Sequence, residues 1–442
     1  MKTLDLLQSN QTIDAQRLDL SCGLTQFPLE ILDLAESLEI LDLSNNHLKS
    51  LPDEFCQLKN LRVVFFNNNE FEEIPEVLSR CPNLSMIGFK ANQIRTVADQ
   101  ALPLTTRWLI LTDNQIEQLP ASMGHLKKLQ KLMLAGNRLR SLPDQMAACT
   151  HLELVRLAAN RLEQLPGWLL TLPRLSWLAY SGNPFCSAGS PVSSPLTNID
   201  WADITLEGTL GQGASGVISK GLWQVGQDSR EVAVKVFKGE ITSDGLPADE
   251  MRACIAAGTH SNLVSVLGKL VNAPEGKAGL VFPFIPADYQ NLGNPPSLDS
   301  CTRDTYEPGT SFSLAAALRI AGGIAAAAAH LHARGIMHGD LYPHNTLVNE
   351  AGDSLLGDFG AASFYDLNDP VRGAALERLE VRAFGCMLED LLDRCQLTDM
   401  AAQAEAFDGL RQLQERCMTP DLSQRPLFSN ICRALADIGQ TL

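Results

Sequence analysis

Apolar positions in the first part of the chain recur with a fixed period. The order L-x-x-L-x-L-x-x-N-x-L repeats between about residues 13 and 185, with its asparagines 22 or 23 residues apart. These asparagines are Asn46, Asn69, Asn92, Asn114, Asn137, Asn160 and Asn183. Because side chains alternate along a strand, each unit is predicted to contain a short strand, with Leu38, Leu41 and Leu43 of one unit pointing inward. The asparagine is predicted to turn inward and to bind backbone groups at the bend.

These units resemble the leucine-rich repeat family, and about eight of them fill residues 1–185. The resemblance implies an α/β solenoid with one parallel strand per repeat. A single unit cannot bury its apolar face, so the units are expected to stack and share one core. The first unit is irregular, with Cys22 and Gly23 near the asparagine position.

The outward strand positions of the repeats form the predicted concave face. They combine aromatic, apolar and basic side chains, a composition typical of protein-binding patches. The residues are Phe65, Lys90, Trp108, Ile110, Lys131, Met133, Arg156 and Trp177. The family resemblance implies that this face binds a protein ligand. The alternative is that some of these side chains simply pack on neighbouring strands.

A stretch rich in Ser, Pro and Gly, residues 186–202, has no periodicity and is predicted to be a linker. Beyond it, "EVAVKVF" alternates as a strand, with Val232, Val234 and Val236 on one face and Lys235 on the other. The preceding "LGQGASGVI" spaces its glycines as G-x-G-x-x-G, which lets a backbone approach phosphates. The order strand, loop, strand, lysine differs from a dinucleotide-binding fingerprint, where a helix follows the glycines.

A predicted helix follows this strand and carries Glu250, fifteen residues after Lys235. A buried lysine that holds phosphates needs a carboxylate to orient it, and Glu250 is the candidate. The alternative is an exposed residue in the first turn of the helix, where a negative charge is favoured.

The run "HGDLYPHN" at 338–345, followed by "GDFG" at 357–360, completes a set that resembles the eukaryotic-type protein kinase. The resemblance implies an α+β bilobal domain over residues 203–442 that transfers phosphate from ATP to a protein. It makes Asp340 the catalytic aspartate, and Asn345 and Asp358 the ligands of Mg²⁺. The implied cofactor-binding residues are Gly211, Gly213, Gly216, Ile218, Ala233, Lys235 and Glu250. It also implies a structural Arg425 paired with Glu377 or Glu380, whereas His338 is expected to pack beneath the site.

Three departures from this family bear on the activity. Gly339 stands where many kinases have an arginine, so control through a phosphorylated loop is not expected. Tyr342 replaces a lysine near the γ-phosphate, and its hydroxyl could supply a weaker hydrogen bond there. Only 27 residues separate Asp358 from Gly385.

The short segment after Asp358 leaves three functions open. A serine/threonine protein kinase is the main hypothesis, because the loop lacks the "AAR" run typical of tyrosine kinases. Kinases of small hydroxylated molecules, such as the aminoglycoside and choline kinases, share the HGD loop, and they are the second hypothesis. The third is a non-catalytic scaffold that binds ATP or nothing.

Composition restricts the partners and the location. The net charge of −16 argues against nucleic acid. No run of about 18 to 20 uncharged apolar residues is evident, and the start lacks an apolar signal segment. Eleven scattered cysteines suit a reducing cytosol. The layout therefore resembles a bacterial-type soluble leucine-rich repeat kinase in the cytoplasm.

Overall fold

A computed structural model of the protein describes residues 15–189, 196–213, 215–239 and 241–440. The chain divides into two compact units. The first contains the described residues up to Arg174 together with Asn183–Phe185. The second contains Leu175–Gly182 and the described residues from Cys186 onward. The segment Leu175–Gly182, which contains the strand of the last repeat, therefore belongs to the second unit.

The repeats supply one strand each to an eight-stranded parallel sheet in chain order. The strands are β1 Arg17–Asp19, β2 Ile40–Asp42, β3 Val63–Phe65, β4 Met86–Gly88, β5 Trp108–Ile110, β6 Lys131–Met133, β7 Leu154–Arg156 and β8 Trp177–Ala179. Short 3₁₀ helices lie between strands, at Leu29–Leu34, Asp53–Gln57, Glu76–Arg80, Ala121–His125, Asp144–Ala148 and Gly167–Thr171, and another follows at Pro184–Gly189. The predicted solenoid is confirmed.

The repeat asparagines form the predicted ladder. Asn114 is typical: its Nδ2 donates to the Phe89 carbonyl oxygen at 2.8 Å, and its Oδ1 accepts from the Ile94 N–H at 3.0 Å. The same pair of bonds recurs from Asn46 to Asn183. Each asparagine thereby ties its own bend to the repeat before it, which satisfies backbone groups that the buried turn would otherwise leave unpaired.

The predicted concave face is only partly open. Phe65, Trp108, Ile110 and Lys131 are partly exposed, and the Lys131 ammonium lies 4.1 Å from the Trp108 ring centroid. The prediction was wrong at the C-terminal end of the array, where Met133, Arg156 and Trp177 are all buried.

The large sheet of the second unit has six strands: β9 Thr197–Asp200, β10 Ile204–Gln212, β11 Gly216–Val225, β12 Asp228–Phe237, β13 Gly268–Val271 and β14 Gly279–Pro283. Their order across the sheet is β10-β11-β12-β14-β13-β9. Val232 and Val234 are fully buried in the core of this sheet, as their alternation predicts. The structure thus assigns Thr197–Asp200, within the predicted linker, to an edge strand. That strand pairs in parallel with β13 through buried Ile199.

Five α-helices lie among the described residues of the second unit: α1 Pro247–Ala257, α2 Leu314–His332, α3 Pro370–Asp393, α4 Met400–Met418 and α5 Phe428–Gly439. Short strands accompany them: β15 Gln290–Asn291, β16 Phe312–Ser313, β17 Ile336–Met337, β18 Thr346–Val348, β19 Ser354–Leu356, β20 Ser363–Phe364 and β21 Cys395–Gln396. Strand β17 pairs with β20, β18 joins β15 and β19, and β16 pairs with β21. This mixed sheet with helices fits the predicted kinase fold.

Helix α2 corrects one expectation from the sequence. With 19 residues, it is long and apolar enough to cross a membrane by length and composition alone, although no such stretch was expected. Half of its apolar window is buried inside the protein, and ten of its residues are buried. It therefore has the features of a core helix, which passes the same test.

Candidate active site

The glycine-rich hairpin joins β10 to β11. The Gly213 N–H donates to the Gly216 carbonyl oxygen at 3.0 Å, which closes the turn. A β-carbon on Gly211 or Gly213 would meet no atom within 4 Å, whereas one on Gly216 would lie 2.5 Å from the Val236 carbonyl oxygen. Gly216 is thus required by packing. The other two glycines leave an open backbone above the sheet, as a phosphate-binding loop needs.

Lys235 on β12 and Glu250 on α1 form a buried ion pair through Nζ and Oε1. Burial lowers the pKa of Lys235, but Glu250 and Asp358 outweigh it and raise the pKa above its usual value. Burial raises the pKa of Glu250, whereas Lys235 and, to a smaller extent, Ser215 of the glycine loop lower it. Lys235 therefore carries its charge between the loop and Asp358. Ile218 lies opposite Lys235 on the neighbouring strand, and Ala233 lies opposite Phe282 on β14.

The loop at 338–345 brings Asp340 and Asn345 together. The Asn345 Nδ2 donates to the Asp340 carbonyl oxygen at 3.0 Å and to its Oδ2 at 2.9 Å. The Asp340 carboxylate is thereby fixed in orientation, and the Oδ1 end of the Asn345 amide points away from it. Asp358 has a left-handed backbone, with φ of 53°, and its Oδ1 accepts from the Gly360 N–H at 3.1 Å.

A buried carboxylate supports this loop from below. Glu380 on α3 accepts from the Gly339 N–H at 2.6 Å, from the His338 N–H at 3.2 Å and from His332 Nε2 at 2.8 Å. Burial raises the pKa of Glu380, but the His332 hydrogen bond and charge outweigh it, so the pKa lies below its usual value. His338 is fully buried, donates from Nε2 to the Gly357 carbonyl oxygen at 2.8 Å and packs on Phe359.

The predicted partners of Arg425 bind elsewhere. Glu380 holds the loop, and Glu377 accepts from the Phe428 N–H at 2.7 Å. Arg425 donates to the carbonyl oxygens of Thr419 and Arg378. Burial and the nearby Arg382 lower the pKa of Arg425 to about 10.

The structure explains two of the three departures from the kinase pattern, those at Gly339 and Tyr342. Gly339 has φ of 74°, and a β-carbon there would lie 2.6 Å from the Ala361 carbonyl oxygen and 2.7 Å from that of Leu178. An arginine does not fit this backbone. Tyr342 is buried together with its hydroxyl. The idea that this hydroxyl serves the γ-phosphate is therefore not supported, and its ring instead stacks on Trp177 at 4.3 Å between centroids.

The buried Asp304 carboxylate contacts the catalytic loop at His344. Asp304 accepts from the His344 N–H at 2.7 Å and contacts its Nδ1 at 2.8 Å. Arg303, the preceding residue, is anchored to Glu389 and Asp390 on α3. Burial lowers the pKa of His344, but the hydrogen bond and charge of Asp304, together with the charges of Asp340 and Asp358, outweigh burial and raise the pKa. The sequence analysis missed Asp304 and Trp177 as neighbours of the catalytic loop, because nothing local in the sequence marks such distant contacts.

The residues present fit the two groups that the site is expected to take. Oxygen ligands such as those of Asn345 and Asp358 are the ones that Mg²⁺ prefers. Asp358 lies close enough to Lys235 and His344 to raise the pKa of both. A point charge at Lys235 below an open glycine hairpin suits the phosphates of ATP.

Comparison with known proteins gives two family matches. Residues 204–383 match the family "Protein tyrosine and serine/threonine kinase". Residues 36–94, 104–162 and 127–185 match "Leucine rich repeat".

Relatives of known description are protein kinases. The chain is 33% identical over 173 residues to "Probable serine/threonine-protein kinase gdt4" of Dictyostelium discoideum, which covers 39% of this chain and 9% of that protein. It is 28% identical over 156 residues to "Cyclin-dependent kinase 2" of Caenorhabditis elegans, and this match covers 35% of this chain and 39% of that protein. It is 26% identical over 285 residues to "Putative mitogen-activated protein kinase kinase kinase 7-like" of Drosophila melanogaster, and this match covers 55% of this chain and 68% of that protein. The chain thus spans less than half the length of the first two.

Proposed function

Because the chain contains leucine-rich repeats followed by a protein kinase domain, we propose that it transfers the γ-phosphoryl group of ATP to serine or threonine residues of a protein. The observation that carries this proposal is the buried Lys235–Glu250 pair below the glycine hairpin, with Asp358 close by. A charged lysine held by a carboxylate is arranged to bind phosphates and has no evident purpose in a scaffold that binds nothing.

Phosphoryl transfer needs positioning and charge neutralisation more than covalent chemistry. In the proposed site, Lys235 holds the phosphates, and the glycine hairpin covers them with backbone N–H groups. Asp340, held by Asn345, orients the attacking hydroxyl and accepts its proton. Asn345 and Asp358 would hold Mg²⁺, which neutralises phosphate charge when bound.

The short connection after the GDFG run favours a second candidate. Strand β20 begins at Ser363, three residues after Gly360, and α3 already starts at Pro370. Little chain remains there for a surface that grips a peptide. A kinase of a small hydroxylated molecule needs less of it and is therefore the runner-up.

The repeats are proposed to recruit the protein partner through the part of the concave face that stays open. Phe65, Trp108 and Lys131 lie there, partly exposed, and the Lys131 ammonium makes a cation–π contact with the Trp108 ring. Aromatic and basic side chains of this kind are common anchors at protein interfaces. We also propose the cytosol as the location, which suits eleven cysteines that are all thiols in the structure.

The test is transfer of labelled γ-phosphate from Mg-ATP by wild type and by Asp340→Asn. Each protein is offered a generic protein substrate and, separately, a panel of small alcohols and aminoglycosides. We expect label on serine or threonine of protein, reduced by at least about 100-fold in the variant, because the base is lost. The substituted amide keeps the shape of the aspartate side chain, and circular dichroism serves as the folding control.

Other outcomes would select another hypothesis. Label on the small molecules alone would support the runner-up. ATP binding without any transfer, measured by calorimetry, would support the scaffold. Transfer that persists in Asp340→Asn at the wild-type rate would contradict the assigned role of Asp340.

A further inference from the structure

The segment Leu175–Gly182 contacts both sides of the catalytic loop within the second unit. The Trp177 ring lies parallel to the Tyr342 ring, with 6° between the planes and 4.3 Å between centroids. The Trp177 Nε1–H donates to the Leu341 carbonyl oxygen at 3.1 Å. Leu341 and Tyr342 directly follow Asp340 in the chain, so both contacts fix the backbone next to the catalytic carboxylate.

The same segment also reaches the chain that follows the GDFG run. The Tyr180 N–H donates to the Ser363 hydroxyl at 3.0 Å, and that hydroxyl donates to the Ala361 carbonyl oxygen at 3.3 Å. Between these two contacts, the Leu178 carbonyl oxygen takes the space that a side chain at 339 would need. The segment thus packs against Gly339, which precedes Asp340, and against Leu341 and Tyr342, which follow it.

Trp177 is almost completely buried, with 1% of its surface exposed. A strand residue on the concave face of a repeat would ordinarily be available to a ligand. Here both its apolar ring and its N–H group are used by the catalytic loop. The Tyr342 ring also contacts the His344 ring, with 4.9 Å between the centroids and 34° between the planes.

We propose that Trp177, from the last repeat, is a positioning residue of the kinase reaction. It holds residues 341 and 342 in place so that Asp340 keeps its orientation toward the attacking hydroxyl. This role rests on the proposed function, because it assumes that Asp340 is the catalytic aspartate. The kinase unit therefore includes a strand that lies outside the region expected for a kinase domain.

The experiment uses the full chain with three variants. Trp177→Ala removes both the ring and the donor, whereas Trp177→Phe keeps a ring over Tyr342 and loses only the donor to Leu341. Trp168→Ala is the control, because Trp168 is a partly buried tryptophan of the 3₁₀ helix Gly167–Thr171 and lies outside both the proposed binding face and the second unit. Circular dichroism and thermal unfolding first establish which variants fold.

Two readouts separate this proposal from the proposed function. Hydrogen exchange of the peptide covering residues 336–347 reports loop order even in a protein that transfers no phosphate. Steady-state kinetics with protein substrate report kcat and KM separately. We expect faster exchange in Trp177→Ala and a kcat lowered by about 10- to 100-fold, with the KM for ATP little changed, because misplacement costs transition-state alignment. The Phe variant should fall between wild type and Ala, and Trp168→Ala should match wild type in the exchange of residues 336–347 and in kcat.

Each result has one meaning. Wild-type exchange at 336–347 in Trp177→Ala overturns the proposal, whether or not the protein is a kinase. A higher kcat in Trp177→Ala also overturns it, since the contact would then restrain the site. If Trp177→Ala does not fold, the decision passes to Trp177→Phe. In this variant the lost N–H donor to Leu341 must speed hydrogen exchange at residues 340–342 and lower kcat. Wild-type values for both would reject the positioning role of Trp177. Absence of transfer in wild type, with faster exchange in the Ala variant, rejects the proposed function but keeps the structural contact.

Discussion

The backbone at Gly339 restricts what this position can hold. We predict that Gly339→Ala destabilises the protein more than Gly226→Ala does. Both glycines have positive φ, 74° and 66°, so both changes introduce the same kind of backbone strain. Only at Gly339 would the new β-carbon meet two carbonyl oxygens, whereas at Gly226 it meets nothing within 4 Å.

The difference between these two variants isolates the steric term. It should amount to about 1–3 kcal/mol in the free energy of unfolding, as for other overpacked sites. Urea unfolding followed by circular dichroism measures it. Equal losses in both variants would show that Leu178 and Ala361 can move aside. Gly339→Arg, which restores the residue common in related kinases, should be at least as damaging as alanine.

His344 gives the fold a pH dependence of predictable sign. Its pKa is raised: burial lowers it, but Asp304, Asp340 and Asp358 outweigh the burial. A group with a raised folded-state pKa contributes its full stabilisation below the unfolded pKa. That contribution is lost as the pH rises through the folded-state value. The window therefore opens at about pH 6.5, the ordinary value for histidine, and extends upward.

We predict that wild type loses unfolding free energy with rising pH above about 6.5, and that His344→Asn loses less over the same range. Urea unfolding at several pH values measures both slopes. The control is His151→Asn, which changes an exposed histidine in the repeats. Its slope should match that of wild type. A His344→Asn slope equal to that of His151→Asn would contradict the assignment.

At the scale of elements, the asparagine ladder is the feature that the sequence predicted in most detail. Its spacing fixed both the strand positions and the inward turn of each amide, because a period of 22 or 23 residues leaves one way to stack the units. Strand Thr197–Asp200 was not predicted. It has one buried apolar residue, Ile199, and its pairing with β13 depends on a partner about 70 residues away.

We predict that Asn114→Ala destabilises the repeats by at least about 2 kcal/mol, because it leaves the buried Ile94 N–H and Phe89 carbonyl oxygen without their partner. Asn83→Ala is the control. Asn83 is exposed and its Nδ2 also donates to a backbone oxygen, that of Lys59, at 2.8 Å. Its loss should be below about 1 kcal/mol, since water can replace the bond. Chemical unfolding of both variants measures the difference, and similar losses would contradict a structural role of burial in the ladder.

For the whole molecule, the sequence predicted the two kinds of fold and the members of the candidate site. Lys235, Glu250, Asp340, Asn345 and Asp358 were selected from motif spacing, which is a local property of the chain. Their supports were not predictable in this way. Asp304 reaches His344 across 40 residues, and Trp177 reaches Leu341 across 164. Such contacts depend on how distant elements pack, for which a single sequence holds no periodic signal.

The net charge of −16 is also a property of the whole chain. At physiological ionic strength, exposed charges act over only about 8 Å, so this excess repels polyanions without preventing a local phosphate site. Lys235 is such a local site, because this buried cation has the carboxylates of Glu250 and Asp358 as neighbours. The exclusion of nucleic acid as a partner remains a prediction.

The stacking of Trp177 on Tyr342 has a consequence for how such a chain can change in length. Repeat arrays grow and shrink by copying or deleting whole units, and each internal unit needs only a similar neighbour on either side. The strand Trp177–Ala179 differs from the internal units, because its first residue also contacts Leu341 and Tyr342 of the catalytic loop. Duplication or deletion is therefore tolerable upstream of this unit, whereas replacing it with a copy of another repeat would remove the tryptophan. The number of repeats can therefore change upstream of the last unit, whereas the sequence of the last unit is constrained by the catalytic loop.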